Sequence, residues 1–279
     1  MTRATWPLLV LLAALAVPVP AVPQPSPMAP SQVPPLVPPL APSPAAPQGN
    51  PACAAPAELT EAGAALPATS LALRARQLRV VVVGSASVLG AGTSGPAAGW
   101  PGRLQLWLAA RHPGLTLEVT VRGGRGLTAA DTAAMIADEL ARAPAHLVLW
   151  QTATVEAVRG LEIDAMVETL NAGLERIHAA GADAVLVEPQ FSRFLRANAN
   201  IEPYRDALRL VAAAQGVALF RRYDLMHFWA ETERIDLERA PRAARIATAD
   251  RLAECLAEAI GGLLAQGVAE ARGKLPPRP

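Results

Sequence analysis

The chain of 279 residues carries 25 Lys and Arg against 24 Asp and Glu, a formal net charge of +1, with the two signs interspersed. Nothing in that balance forms the basic stripe of a nucleic-acid binder, so no nucleic-acid partner is expected. Two cysteines without clustered histidines make a poor zinc site, and no metal or other cofactor is expected.

Residues 1–21 read as a secretory signal peptide: Arg3 precedes the apolar run Trp6 to Val17, and small residues follow around Ala21. That run is shorter than the roughly 20 residues needed to cross a hydrocarbon core, so cleavage would leave no transmembrane span. An uncleaved N-terminal anchor is the alternative. From Pro18 to Pro56 the chain is dominated by proline, alanine and serine. Proline has no N–H and a fixed φ, so residues 22–56 are expected to form an extended tether of polyproline II character. It would serve as a spacer or as a docking site for a proline-binding partner. Residues 57–268 have the size of one α/β domain, and 269–279 read as a disordered tail. Cys53 and Cys255 stand near the two ends of that domain. In an oxidising compartment such a pair suggests a disulfide, with a nominal loop-entropy gain of roughly 4–5 kcal/mol.

Within the domain, Leu78 to Gly84 (LRVVVVG) is a continuous apolar run of the kind buried on both faces of a parallel sheet. Trp100–Gly114 has helical spacing and ends on Pro-Gly. Leu115–Gly126 reads as a second strand running into a glycine-rich loop, and Thr128 as the N-cap of a helix to Ala143. A third strand is expected within Ala145–Thr154, a helix over Ile163–Gly181 and a fourth strand in Asp183–Gln190. A helix over Pro203–Gly216, a fifth strand in Val217–Asp224 and a long Ala/Leu helix from Ala244 complete the chain. Strands alternating with helices predict a three-layer α/β/α domain with a five-stranded, mostly parallel sheet. Sites in such sheets form at the carboxyl ends of the strands. The informative loops are therefore those after Gly84, Val121, Gln151 and Gln190, and the segment before the last helix.

Those loops resemble the SGNH/GDSL hydrolases, in particular a secreted bacterial branch, over about Cys53 to Ile260. Gly84 and Gly90 keep the spacing of the family's first block, and VRGGRG retains Arg122 and Gly123 of the second. WQTATVEAVR retains Trp150, Gln151, Thr154 and Arg159 of the third, while LFRRYDLMHFW resembles the stretch preceding the last block. The cysteine pair fits the same branch. The resemblance implies a flavodoxin-like SGNH-hydrolase fold, and ester hydrolysis by a Ser-His-Asp arrangement with an oxyanion hole.

The positions that should carry this chemistry hold other residues. The nucleophile position is Ala86, the oxyanion asparagine position is Val155, and the aspartate and histidine positions fall on Ala244 and Ala247. Of the oxyanion elements only the glycine, Gly123, remains; its other role would be to permit a tight turn. Ser85 and Ser87 flank the empty nucleophile position, and His227 is the histidine nearest the last block. The expectation is an exported, catalytically silent SGNH-like protein in the periplasm or the medium. Its crevice, lined by Ala86, Ala153, Val155 and Ala247, would take an acyl or glycan ligand, and cell-envelope components are conceivable partners. The alternative is an active serine esterase or lipase-like hydrolase of carboxylic esters that pairs Ser85 or Ser87 with His227 or a carboxylate. A third reading is an envelope-assembly role without a ligand.

Overall fold

A computed structural model of the protein describes residues 50–274. The signal peptide and the tether up to residue 49 lie outside the described residues, as do 275–279. Five strands, β1 (Gln77–Ser85), β2 (Thr116–Gly124), β3 (Leu147–Gln151), β4 (Asp183–Val187) and β5 (Ala218–Phe220), form one sheet in the order β2-β1-β3-β4-β5. All neighbouring pairs are parallel. The expected α/β class and three-layer architecture are therefore present.

The sequence pattern explains the order of burial. Val80, Val81, Val82 and Val83 of the central β1 are completely buried, as are Leu147 to Trp150 of β3. Edge strand β2 instead alternates Leu117, Val119 and Val121 with polar residues, and is half-exposed along much of its length. On one side of the sheet α1 (Pro67–Arg74) and α2 (Trp100–Arg111) pack against the long α9 (Arg245–Lys274). On the other, α5 (Ile163–Ala179) lies between α3 (Ala129–Arg142) and α7 (Glu202–Gln215). The Arg242–Gly273 helical stretch is long and apolar enough to cross a membrane by composition, but it works here as a core helix. Leu252, Leu256, Ile260, Leu263 and Leu264 are buried against the rest of the domain.

Several boundaries differ from the sequence expectation. The fifth strand stops at Phe220, and Arg222–Glu231 forms helix α8. Three short helices fill loops: α1, α4 (Thr154–Arg159) and α6 (Arg193–Asn198). The assumed tail begins too early, because α9 continues through 269 to Lys274. The assumed tether ends too late: Pro51–Cys53 forms a short 3-10 turn within the folded unit. Cys53 is joined to Cys255 of α9 by a disulfide, with the Cα atoms 4.9 Å apart. The Ala54 carbonyl accepts hydrogen bonds from Trp229 Nε1 at 3.2 Å and Arg234 Nη1 at 2.7 Å. These covalent and polar ties hold residues 50–56 to the domain despite their proline content.

Candidate functional site

The carboxyl ends of four strands contribute to one polar row. Ser85 is the last residue of β1 and Ser87 follows in a 3-10 turn, Ala86–Leu89. Gln151 ends β3, Gln190 lies three residues after β4, and Arg222 two residues after β5. Gln151 Nε2 donates to Ser85 Oγ at 2.6 Å, and Ser87 Oγ donates to Gln151 Oε1 at 2.9 Å. Arg222 Nη1 donates to Ser87 Oγ at 3.1 Å, and Arg222 Nη2 reaches Gln190 Oε1 at 3.5 Å. The row thus runs across the top of the sheet from β1 to β5.

Close backbone approach makes this geometry possible. Gly84 has no room for a side chain: a Cβ there would lie 2.7 Å from Gln151 Cβ. Gly123 is in the same situation, with its Cβ position 2.6 Å from both the Gly84 carbonyl oxygen and Val88 Cγ2. Its φ is not positive, so Gly123 is needed for contact between β2 and the turn after β1 rather than to permit a turn. Gly90, by contrast, closes that turn in the left-handed region at φ 78°.

The expected catalytic positions carry no side-chain hydroxyl, amide, carboxylate or imidazole. Ala86 is half-buried at the start of the 3-10 turn, and Val155 is half-buried in the first turn of α4. Ala153 is fully buried and holds φ 71°, the left-handed backbone natural to a glycine, now carrying a methyl group. Such a conformation costs an L-residue about 1–2 kcal/mol. Ala244 ends a 3-10 turn, and Ala247 is exposed in the first turn of α9.

His227 sits on α8, where its ring stacks on Phe191 with centroids 4.6 Å apart. Its Nε2 is 3.5 Å from Glu231 Oε1. Among the described residues neither Ser85 nor Ser87 bonds to a histidine; their side-chain partners are each other, Gln151 and Arg222. The two serines and His227 are therefore not assembled into a nucleophile–base pair.

A cavity of about 220 Å³ adjoins the polar row. Ser87, Gln190 and Arg222 form its polar end, and Trp100, Phe191, Met226, Ile235, Leu252 and Leu256 much of its apolar wall. Ala86, Ala153, Val155 and Ala247, expected to line the crevice, do not line it. The cavity lies between the segment from Ser87 to Trp100, the segments after β4 and β5, and the second and third turns of α9, whereas Ala153 is buried and Ala247 exposed.

Arg222 is the residue that sequence reasoning missed. It is only 4% exposed, and burial pushes its guanidinium down to about 10. No carboxylate pairs with it among the described residues. Nearby charges are matched by contrast. Asp236 and Glu238, also at the cavity, are held by Arg193 at 3.0 and 3.6 Å. Burial opposes both carboxylates' ionisation, yet hydrogen bonds keep them below the usual carboxylate range. Buried Glu188, pushed up by desolvation, is approached by Arg205 and Arg209. The one available signal was Arg221-Arg222 directly at the end of an apolar strand.

A parallel five-stranded sheet flanked by helices, with the polar row at its carboxyl edge, defines an SGNH-hydrolase-like protein. The chain belongs to the non-GDSL lipase-like family, whose profile matches residues 52–270. No curated protein sequence matches it. Among solved structures, TesA superposes with a TM-score of 0.54 at 22% identity, over 67% of this chain and 99% of that one. A member of the lipolytic G-D-S-L family from Veillonella parvula DSM 2008 gives 0.52 at 14% identity, over 65% and 95%. A two-domain esterase active on acetylated mannans, co-crystallised with mannopentaose, gives 0.57 at 14% identity, over 79% of this chain and 58% of that one. At these identities the likeness is one of fold.

Proposed function

We propose that this protein is an exported, non-catalytic member of its family that uses the crevice at the carboxyl edge of the sheet to bind a ligand. The observation that carries the reading is the partnering of Ser87. Its hydroxyl proton is directed to the Gln151 amide oxygen and its oxygen accepts from Arg222, where a hydrolase needs a basic imidazole. An amide oxygen orients a hydroxyl but does not take its proton. Ala86 supplies no nucleophile and Val155 no oxyanion donor, a loss worth roughly 100- to 1,000-fold in rate for each such donor. A ligand with an acyl body suits the apolar wall of the cavity; a glycan, as in the mannan-active esterase, would need more hydrogen-bonding groups than the wall offers. The test is hydrolysis of short-chain p-nitrophenyl esters by the oxidised protein. No turnover above the buffer rate is expected, and steady turnover abolished by Ser87→Ala or Ser85→Ala would establish the hydrolase instead.

A further inference from the structure

The cavity contains a cation that nothing in the described structure neutralises. A guanidinium has five N–H donors. Arg222 spends them on two neutral acceptors, one at the long distance of 3.5 Å, and its buried Nε has no partner. A second buried donor, Trp100 Nε1, is also without a partner, and Trp100 lines the same cavity. Taking a charge out of water without a counter-charge is costly, and folded proteins retain such groups mainly where an anion completes them.

We infer that the cavity binds a small monocarboxylate with an apolar body, the carboxylate against Arg222 and the body along Met226, Leu252 and Leu256. The inference rests on the reading that this crevice binds its ligand without turning it over. The planar guanidinium presents paired donors that match a carboxylate, and Ser87 and Gln190 flank it. The volume of about 220 Å³ accommodates roughly seven groups of the bulk of a water molecule, about 30 Å³ each, which fits a carboxylate with a short alkyl chain. A doubly charged phosphate is disfavoured, because among the described residues Arg222 is the only basic side chain lining the cavity, and the carboxylates of Asp236 and Glu238 line it too.

The test is calorimetric titration of the oxidised protein with hexanoate, 1-hexanol and hexyl phosphate, repeated in Arg222→Gln. Hexanoate is expected to bind at least about tenfold more tightly than hexanol, and hexyl phosphate no more tightly than hexanoate. In Arg222→Gln the preference for hexanoate over hexanol should vanish while hexanol binding is kept. Equal binding of hexanoate and hexanol, tighter binding of hexyl phosphate, no hexanoate binding, or unchanged hexanoate affinity in Arg222→Gln would each overturn the inference. The comparison of ligands on the unaltered protein needs no variant, so a folding defect in Arg222→Gln leaves it decisive. Covalent capture of Ser87 by a fluorophosphonate would instead overturn the non-catalytic reading, a separate result from the hexanoate preference.

Discussion

Arg222 Nη1 lies 3.1 Å from Ser87 Oγ, joining the end of β5 to the turn after β1 across the two strands between them. The contact fills the serine's acceptor side with a cation, while the hydroxyl proton is directed to the Gln151 amide oxygen. A guanidinium that stays protonated at neutral pH can hold an anion but does not act there as a general base.

Holding a lone cation inside the ligand-free protein has a stability cost. Arg222→Met is expected to raise the thermal midpoint of the unliganded protein by several degrees, since replacing buried charge by apolar volume often gains about 1–4 kcal/mol. Differential scanning calorimetry measures it. A lower midpoint would mean that the guanidinium is stabilised within the fold.

The same burial gives the cation a pH signature. Burial lowers its folded pKa to about 10, below the ordinary guanidinium range, so the unfolded chain holds this proton more tightly than the folded one. The stability cost is therefore fully present below about pH 10 and is relieved as pH rises from there toward the ordinary guanidinium range. Hexanoate binding needs the cation, so its affinity should be flat from neutrality upward and fall as pH passes about 10. Titrations along a pH series read this directly.

Gly123 has the opposite character, a position fixed by space. Its Cβ would meet the backbone carbonyl of Gly84 at 2.6 Å, which flexible side-chain movement cannot relieve. Gly123→Ala should cost about 1–3 kcal/mol in chemical denaturation, the usual range for overpacking, although alanine is the better residue for chain entropy.

The disulfide closes a sequence separation of 202 residues. Cys255→Ala, or reduction, should lower stability by about 2–5 kcal/mol, with the accompanying release of residues 50–56 readable as faster proteolysis ahead of α1.

Much of the fold was legible because its signals are local. Val80 to Val83 declare a central strand by unbroken apolarity. Thr128 and Asp131 declare the start of α3 and form a reciprocal capping box there, with Asp131 N–H donating to Thr128 Oγ1 at 3.3 Å. Helix α1 was not legible, since its N-terminal N–H groups are capped from elsewhere. Asp183, at the start of β4, accepts from Ala68 N at 3.2 Å and Thr69 N at 2.7 Å across more than a hundred residues. Ala86, Val155, Ala244 and Ala247 were placed through the resemblance to the family's blocks, and none of them lines the cavity. Arg222 became conspicuous only once packing showed which charged groups have partners, a property that no stretch of sequence contains.

The central claim, that Ser85 and Ser87 are structural and not nucleophilic, is tested most directly by exposing the oxidised protein to a fluorophosphonate probe and locating any adduct by mass spectrometry. The expected result is no stoichiometric adduct on either serine, because no imidazole bonds to either hydroxyl among the described residues. A stoichiometric adduct on Ser87 or Ser85, lost on substitution of that serine by alanine, would contradict it.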